Sequence, residues 1–493
     1  MSKRMPIFYS ALMLTGVNLL LRAVSTSFQV YLSGRIGAAG IGLLQLVLSV
    51  GSLAMVAGMA GVRTGTMYLT AEELGKKRPQ NVTWILSGCT VYSVLFSMTV
   101  CLLLFFGAPY LAKNWIGDVR VTGAIRIYAA FVPVFCLCGV MTGYFTAANQ
   151  IGTLAVVEVG EQLLCMATTV TLLMLWAGND PVKSCICVIL GSGCTACVTL
   201  LALLTLRVKE GSPAGERIPV AKRLTQVALP LALADDLKAG ISTTENLMVP
   251  KRLALYPGEI NPLAAFGTVC GMVFPVMMFP AAILFALAEL LIPELARCAA
   301  AGSETRIRYL TNRSLRLAML YGCGVAGGLF LLAKPLCMRL YNNASAGQWL
   351  QLYALMVPML YCDAITDAMT KGLGQQKACV RYNILTSAMD VVFLFFLLPR
   401  YGMAGYYVSF LVTHALNFAL SLRRLLKTAN TRIYPAASLL CVTATVLAVW
   451  LASSLTGFME MVAYLLSLGA LLTLFRVVGK DDVRWLRGLI QKK

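Results

Sequence analysis

The stretch Ile7–Leu32, IFYSALMLTGVNLLLRAVSTSFQVYL, decides the fold class. As a helix rising ~1.5 Å per residue, it is long enough to cross a hydrocarbon core of about 30 Å. Its polar members Thr15, Asn18, Arg22, Ser25 and Gln29 follow one another at spacings of 3, 4, 3 and 4. That period places them on one helical face and leaves the other faces to lipid or neighbouring helices. Arg22 lies well inside the apolar run, with ten residues still to follow, so it is poorly placed to reach an interface. A guanidinium at that depth costs roughly 2.5–3.5 kcal/mol on insertion scales and should therefore face water or a partner.

A second helix repeats the pattern. Between residues 225 and 250 the polar side chains Asp235, Lys238, Ser242 and Glu245 fall at spacings of 3, 4 and 3. Two polar-striped helices, one in each half of the chain, suggest two halves lining a shared cavity.

Composition supports this. The 493 residues are 59% hydrophobic and 13% charged, with a mean hydropathy of +0.77, which marks a polytopic helical membrane protein. The net charge of +20 does not indicate nucleic-acid binding, because the Lys and Arg sit in short loops between apolar runs rather than in one basic domain. Met1-Ser-Lys-Arg ahead of an apolar run imitates a signal peptide, but the run is too long and leads into Gly34-Arg35. It reads as an uncleaved first helix. Of the 16 cysteines, Cys185, Cys187, Cys194 and Cys197 have metal-like spacing. They are interleaved with Ile, Val, Leu and Gly and have no histidine nearby, so they read as packing residues.

Apolar runs of spanning length fall near 7–32, 41–69, 82–107, 123–148, 151–177, 182–206, 225–250, 262–292, 313–339, 348–371, 378–399, 403–424, 434–456 and 458–478, fourteen in all. Most of the 41 Lys and Arg gather in alternate connections, which predicts cytoplasmic termini at both ends. The expected division is a six-helix lobe over 1–207, a linker over 208–224, a second six-helix lobe over 225–425, two further helices over 426–478 and an amphipathic tail over 479–493. Pro275 and Pro280 should interrupt the eighth run and Pro293 close it. Gly324 and Gly328 form a GxxxG, the sign of a close-packed face.

Several stretches, taken in order, resemble the stage V sporulation protein B group of polysaccharide exporters, in the multidrug/oligosaccharidyl-lipid/polysaccharide (MOP) superfamily, which also holds lipid II flippases. They are Gly37-x-x-Gly40-Ile-Gly42-Leu-Leu-Gln45, Ala60-Gly61, Leu69-Thr-Ala-Glu-Glu-Leu-Gly-Lys76, Gly143-Tyr144-Phe145 with Asn149-Gln150, and Glu161-Gln162. The second half adds Ala228-Leu-Pro230, Val249-Pro-Lys-Arg-Leu253, Pro280, Pro293-Glu294, Gly372-Leu-Gly374 and Gly402-x-x-Gly405. The chain departs from the family where Ala38 and Ala39 replace an acid, Cys165 an arginine, Arg63 a proline and Glu245 an aspartate.

The resemblance implies an all-α protein with two pseudo-symmetric six-helix lobes in a V around a central cavity. It also implies movement of a polyprenyl-diphosphate-linked oligosaccharide or peptidoglycan precursor from the inner to the outer leaflet by alternating access. Such a substrate needs cations for its diphosphate, and Arg suits phosphate oxygens through its planar fork. Arg22, Arg63 and Lys238 are the candidates, with Asn18 and Gln29 beside Arg22 on the first stripe. Lys238 can alternatively pair with Asp235.

Acids also interrupt the apolar runs: Glu158, Glu161, Asp235, Asp236, Glu245, Asp363, Asp367 and Asp390. Glu158 and Glu161 are placed to balance Arg22 or Arg63. Asp363 and Asp367 share a face at i,i+4, where like charges repel unless a cation or proton lies between them. Asp390, with Asp235, Asn383 and Thr413, offers oxygen ligands for a Na⁺ ion, or else pairs with Lys238 or Arg381. Na⁺ or H⁺ coupling and membrane potential are thus open as driving forces, and no organic cofactor is implied.

A drug/cation antiporter of the same superfamily is the alternative, and Arg22 on the first stripe argues against it. An enzyme acting on the same lipid lacks material: His414 is the only histidine, no P-loop occurs, and the longest linker cannot hold a nucleotide-sugar domain. Membrane lipids and the lipid-linked glycan are the expected partners, with cell-wall polymerases as candidates, a monomeric state, and the bacterial plasma membrane as the location.

Overall fold

A computed structural model describes residues 7–76, 78–178, 180–208, 220–431, 435–455, 457–475 and 477. Among these, the regular structure is helical throughout. The helices are α1 (Ile7–Met59), α2 (Val62–Gly75), α3 (Val82–Tyr110), α4 (Thr122–Ala147), α5 (Ile151–Leu172), α6 (Pro181–Val208), α7 (Val220–Leu253) and α8 (Pro262–Gly267). They continue with α9 (Phe274–Met278), α10 (Ala282–Ala300), α11 (Glu304–Tyr341), α12 (Ala344–Ala354), α13 (Val357–Gly372), α14 (Gln376–Thr428), α15 (Pro435–Ala452) and α16 (Phe458–Leu474).

The fourteen apolar runs are recovered once breaks are read as breaks. α1 holds the first run and much of the second, joined at Gly37, whose φ of 76° lies outside the helical region. α14 likewise joins the eleventh and twelfth runs at Gly402, φ 58°. The second run is itself divided at Ala60 and Gly61, both at positive φ, and resumes as α2. The eighth run is broken between α9 and α10, next to Pro280. Pro293 does not end it; α10 carries that proline inside and runs on to Ala300. The tenth run bends by 58° between α12 and α13.

The expected linker is only partly described: α7 starts at Val220, inside the span assigned to it, and 209–219 lie outside the described residues. The expected amphipathic tail over 479–493 lies outside them as well.

By internal contacts the chain forms two compact units. One is Met1–Gly271 with Val391–Tyr406; the other is Met272–Asp390 with Tyr407–Lys493. In the first, a core of Val62, Leu69, Ile85, Phe145, Leu224 and Ala228 joins α2, α3, α4 and α7. Cys185 and Cys187 are buried packing residues of α6. In the second, α16 docks on the GxxxG face of α11. The fully buried Tyr464 donates to the Gly324 carbonyl at 2.9 Å, and a Cβ at Gly327 would sit 2.3 Å from its hydroxyl. A backbone approach this close is what small residues provide where lipid gives helices no hydrophobic reason to associate.

Candidate transport site

In the first unit α1 uses its polar stripe in two ways. Gln29 Nε2 donates to the Gly271 carbonyl at 3.4 Å and Ser33 Oγ to the same carbonyl at 3.1 Å, tying α1 to the segment after α8. About two turns before Gln29, Arg22 is exposed. The side chain of Asn18 lies outside the described residues.

α7 makes the same division. Thr243 Oγ1 donates to the Ser49 carbonyl at 3.1 Å and Asn246 Nδ2 to Ser49 Oγ at 3.0 Å, so that face packs on α1. Asp235, Lys238 and Ser242 are exposed, and Glu245 is half-buried. Among the described residues no ion pair joins Lys238 to Asp235. Charged side chains exposed along membrane helices are tolerated where they meet water, not lipid. Asp235, Lys238 and Ser242 form an exposed polar edge of α7, a surface that a membrane setting would require to be wetted.

The break between α1 and α2 is a second polar feature. Helix ends leave carbonyls without helical partners, and here the Tyr92 hydroxyl donates to the Ala60 carbonyl at 3.2 Å. Asp236 lies within electrostatic range of Tyr92, and its Oδ1 is buried without a hydrogen-bond partner. Arg63, two residues past Gly61, is exposed, with Glu158 of α5 within electrostatic range. Glu161 lies one turn further along α5, with Thr199 of α6 nearby. Arg63 and Glu158 thus belong to one neighbourhood.

At the far end of α2, Glu72 and Glu73 meet Arg223 of α7 at 2.8 and 3.2 Å. Lys76 pairs with Glu72 at 2.6 Å, and Asn81 donates to Glu73 at 3.0 Å.

In the second unit the buried Asp390 accepts from Ser409 Oγ at 2.5 Å and from Thr413 Oγ1 at 3.1 Å, both on its Oδ1. Neither Lys238 nor Arg381 appears as its ion-pair partner among the described residues. Asn417 Nδ2, one turn beyond Thr413, donates to Asp363 Oδ2 at 3.1 Å. Asp367 pairs with Lys371 at 2.6 Å, so each acid of the i,i+4 pair has a partner of its own. Asn383 is half-buried two turns before Asp390, while Asp235 belongs to the other unit.

Sequence reading missed Ser409, Asn417, Tyr92 and the Glu72–Glu73–Arg223 network. The first two were open to discovery: Ser409, Thr413 and Asn417 recur at i, i+4 and i+8, a polar stripe inside an apolar run. Glu72 and Glu73 sit in the Leu69–Lys76 motif, but nothing local points to Arg223, some 150 residues away.

Against solved structures, the chain aligns with a lipid II flippase, MurJ, in its inward closed conformation. The TM-score is 0.72 at 11% identity, covering 97% of this chain and 100% of that one. The chain shares the fold of that structure. A multidrug resistance MATE family transporter of the MOP superfamily, inward-facing, aligns with a TM-score of 0.64 at 14% identity, over 85% of this chain and 100% of that one. In sequence, stage V sporulation protein B of Bacillus subtilis (strain 168) is 22% identical over 411 residues, which is 80% of this chain and 78% of that protein. No family model matches the chain. The shared fold and the sporulation-protein likeness agree with the resemblance read from the motifs, and the described residues include seven helices long and apolar enough to cross a membrane.

Proposed function

We propose that this protein is a flippase. It moves a polyprenyl-diphosphate-linked oligosaccharide or peptidoglycan precursor from the inner to the outer leaflet of the bacterial plasma membrane, with both termini cytoplasmic. One observation carries this reading: Arg22 and Arg63 each present an exposed cation within a helical stretch long and apolar enough to cross a membrane, and Lys238 is exposed on α7. Exposed guanidinium groups within a membrane need a wet space, and in it they suit the oxygens of a diphosphate. The names of the relatives agree, since one is a lipid II flippase and another a sporulation protein.

In this reading the substrate's diphosphate is held by Arg22 and Arg63, with Lys238 contributing from the wetted edge of α7. Glu158 and Glu161 keep Arg63 oriented and moderate its charge between substrates. Alternating access exposes the cations to each leaflet in turn.

The oxygen-rich set around Asp390, with the Ser409 and Thr413 hydroxyls, has the donor chemistry that a hard monovalent cation such as Na⁺ accepts. A bound cation there would supply a gradient-coupled bias. Asp390 would hold the charge, and the two hydroxyls would keep its carboxylate oriented.

The competing reading is a drug/cation antiporter, which the MATE-like fold accommodates. Proteoliposomes distinguish the two. Movement of a labelled undecaprenyl-diphosphate sugar with no exchange of organic cations supports the flippase; organic-cation exchange with no lipid movement replaces it with the antiporter.

A further inference from the structure

Pro275 follows Gly271 at the spacing of one helical hydrogen bond. In an unbroken helix the N–H of residue 275 would donate to the carbonyl of residue 271, but proline has no N–H to give. Just ahead of it the chain takes a wider, π-helical turn over Thr268–Val273. Turns of this kind gather at functional sites.

The Gly271 carbonyl is reached from α1 instead, by the Ser33 hydroxyl at 3.1 Å and the Gln29 amide at 3.4 Å. Ser33 is 1% exposed, so its bond is made away from water. Around it α1 and the α8 segment meet backbone to backbone. A Cβ at Gly42 would run into the Leu263 carbonyl, one at Gly267 into the Ala38 carbonyl and one at Gly271 into the Ile41 side chain. Small residues permit this approach, and faces without interlocking side chains part without repacking.

What resists parting is the carbonyl. Bare in apolar surroundings it is costly, and Pro275 keeps the helix from taking it back. Once α1 withdraws, water is the replacement, and water serves nearly as well as a direct bond. The contact therefore has two satisfied states, one closed and dry, the other open and wet.

We propose that the Gly271 carbonyl, with Ser33 and Gln29, is a latch. Bonded, it holds α1 against the segment 263–271; released to water, it lets the two part during transport. The latch rests on the alternating access put forward above and not on which substrate moves.

The test uses the purified full chain in detergent without substrate, so that a failed latch and a failed flippase assay remain separate results. Val269, between Gly267 and Gly271 and 0% exposed, is replaced by Cys as the reporter. Its labelling by a charged maleimide is followed by peptide mass mapping, which sets it apart from the 16 native cysteines. Two variants disturb the latch from opposite sides. Ser33→Ala with Gln29→Leu removes the donors. Pro275→Ala supplies the missing N–H, which competes for the two lone pairs of the carbonyl.

Both should raise the labelling rate about tenfold, the equivalent of roughly one lost hydrogen bond. Pro275→Ala should do so with an unfolding midpoint no lower than that of the parent, because it mends a helix. If the double variant fails to fold, Pro275→Ala carries the test alone. Tyr361→Phe deletes the 2.9 Å bond to the Met277 carbonyl in the second unit and, as the control, should leave the rate unchanged. An unchanged rate in Pro275→Ala, a rise that comes with a lower midpoint, or an equal rise in Tyr361→Phe overturns the proposal.

Discussion

Arg223, in the first turn of α7, donates from Nη1 to Glu73 Oε1 at 3.2 Å while its Nη2 meets Glu72 Oε1 at 2.8 Å. Glu73 is 3% exposed in its side chain, and its other oxygen accepts from Asn81 at 3.0 Å. The end of α2 and the start of α7 are therefore fastened by a network in which a buried carboxylate depends on a residue 150 positions away. Further along the same seam, Gly61 lies against the Ala228 backbone.

Replacing Arg223 by Ala leaves Glu73 buried with one donor fewer. The expected loss is roughly 1–3 kcal/mol of stability, the range for a buried polar group deprived of a partner. It should appear as a lower unfolding midpoint in detergent. Exchanging the charges, with Arg223→Glu and Glu72→Arg together, should recover part of it. An unchanged midpoint for Arg223→Ala would show that the network does not fasten the seam.

Gly61 and Gly37 make a controlled pair. Both have positive φ, 70° and 76°, but a Cβ at Gly61 would lie 2.4 Å from the Ala228 oxygen, whereas one at Gly37 meets nothing within 4 Å. Gly37→Ala should cost of order 1–3 kcal/mol, because φ 76° with ψ 172° is a region open essentially only to glycine. Gly61→Ala adds an overpacking cost of typically 1–3 kcal/mol and should sharply reduce the yield of folded protein on size-exclusion chromatography. Equal yields from the two variants would contradict the close α2–α7 contact.

The fold was legible because its signal is long-range averaging of a simple kind: fourteen apolar runs, each near the length of a bilayer, punctuated by Gly37, Gly402 and Pro280. The site was legible only in part. Arg22, Arg63 and Asp390 stand out because an isolated charge in an apolar run is costly. Their partners do not stand out. Ser409 is an ordinary hydroxyl until a buried carboxylate lies 2.5 Å away, and Arg223 looks like any loop cation. Gln29 shows a partner that its place on a polar stripe did not reveal, since its amide bonds the Gly271 carbonyl.

Tyr464 offers a test of the α11–α16 contact. Tyr464→Phe removes one hydroxyl and should cost about 1 kcal/mol while keeping α16 docked. Gly327→Leu inserts a side chain where the Tyr464 ring stands and should undock the helix. Undocking is read by maleimide labelling of Cys323, which is buried beneath Tyr464. Labelling should rise in Gly327→Leu and stay low in Tyr464→Phe; low labelling in both would contradict the docking.

Asp390→Asn keeps the size of the side chain and an acceptor oxygen for Ser409 and Thr413 but removes the charge. The variant should fold and yet lose the dependence of transport on a Na⁺ gradient. Gradient dependence equal to wild type would take Asp390 out of coupling and place the Na⁺ site elsewhere.

The most direct measurement is the transbilayer movement of a labelled undecaprenyl-diphosphate sugar in proteoliposomes, comparing wild type with Arg22→Ala and Arg22→Lys at matched protein amounts. The expected result is movement by wild type, none by Arg22→Ala and partial recovery by Arg22→Lys, since an ammonium restores charge without the bidentate fork. Wild-type rates from Arg22→Ala would contradict the assignment of Arg22 to the diphosphate.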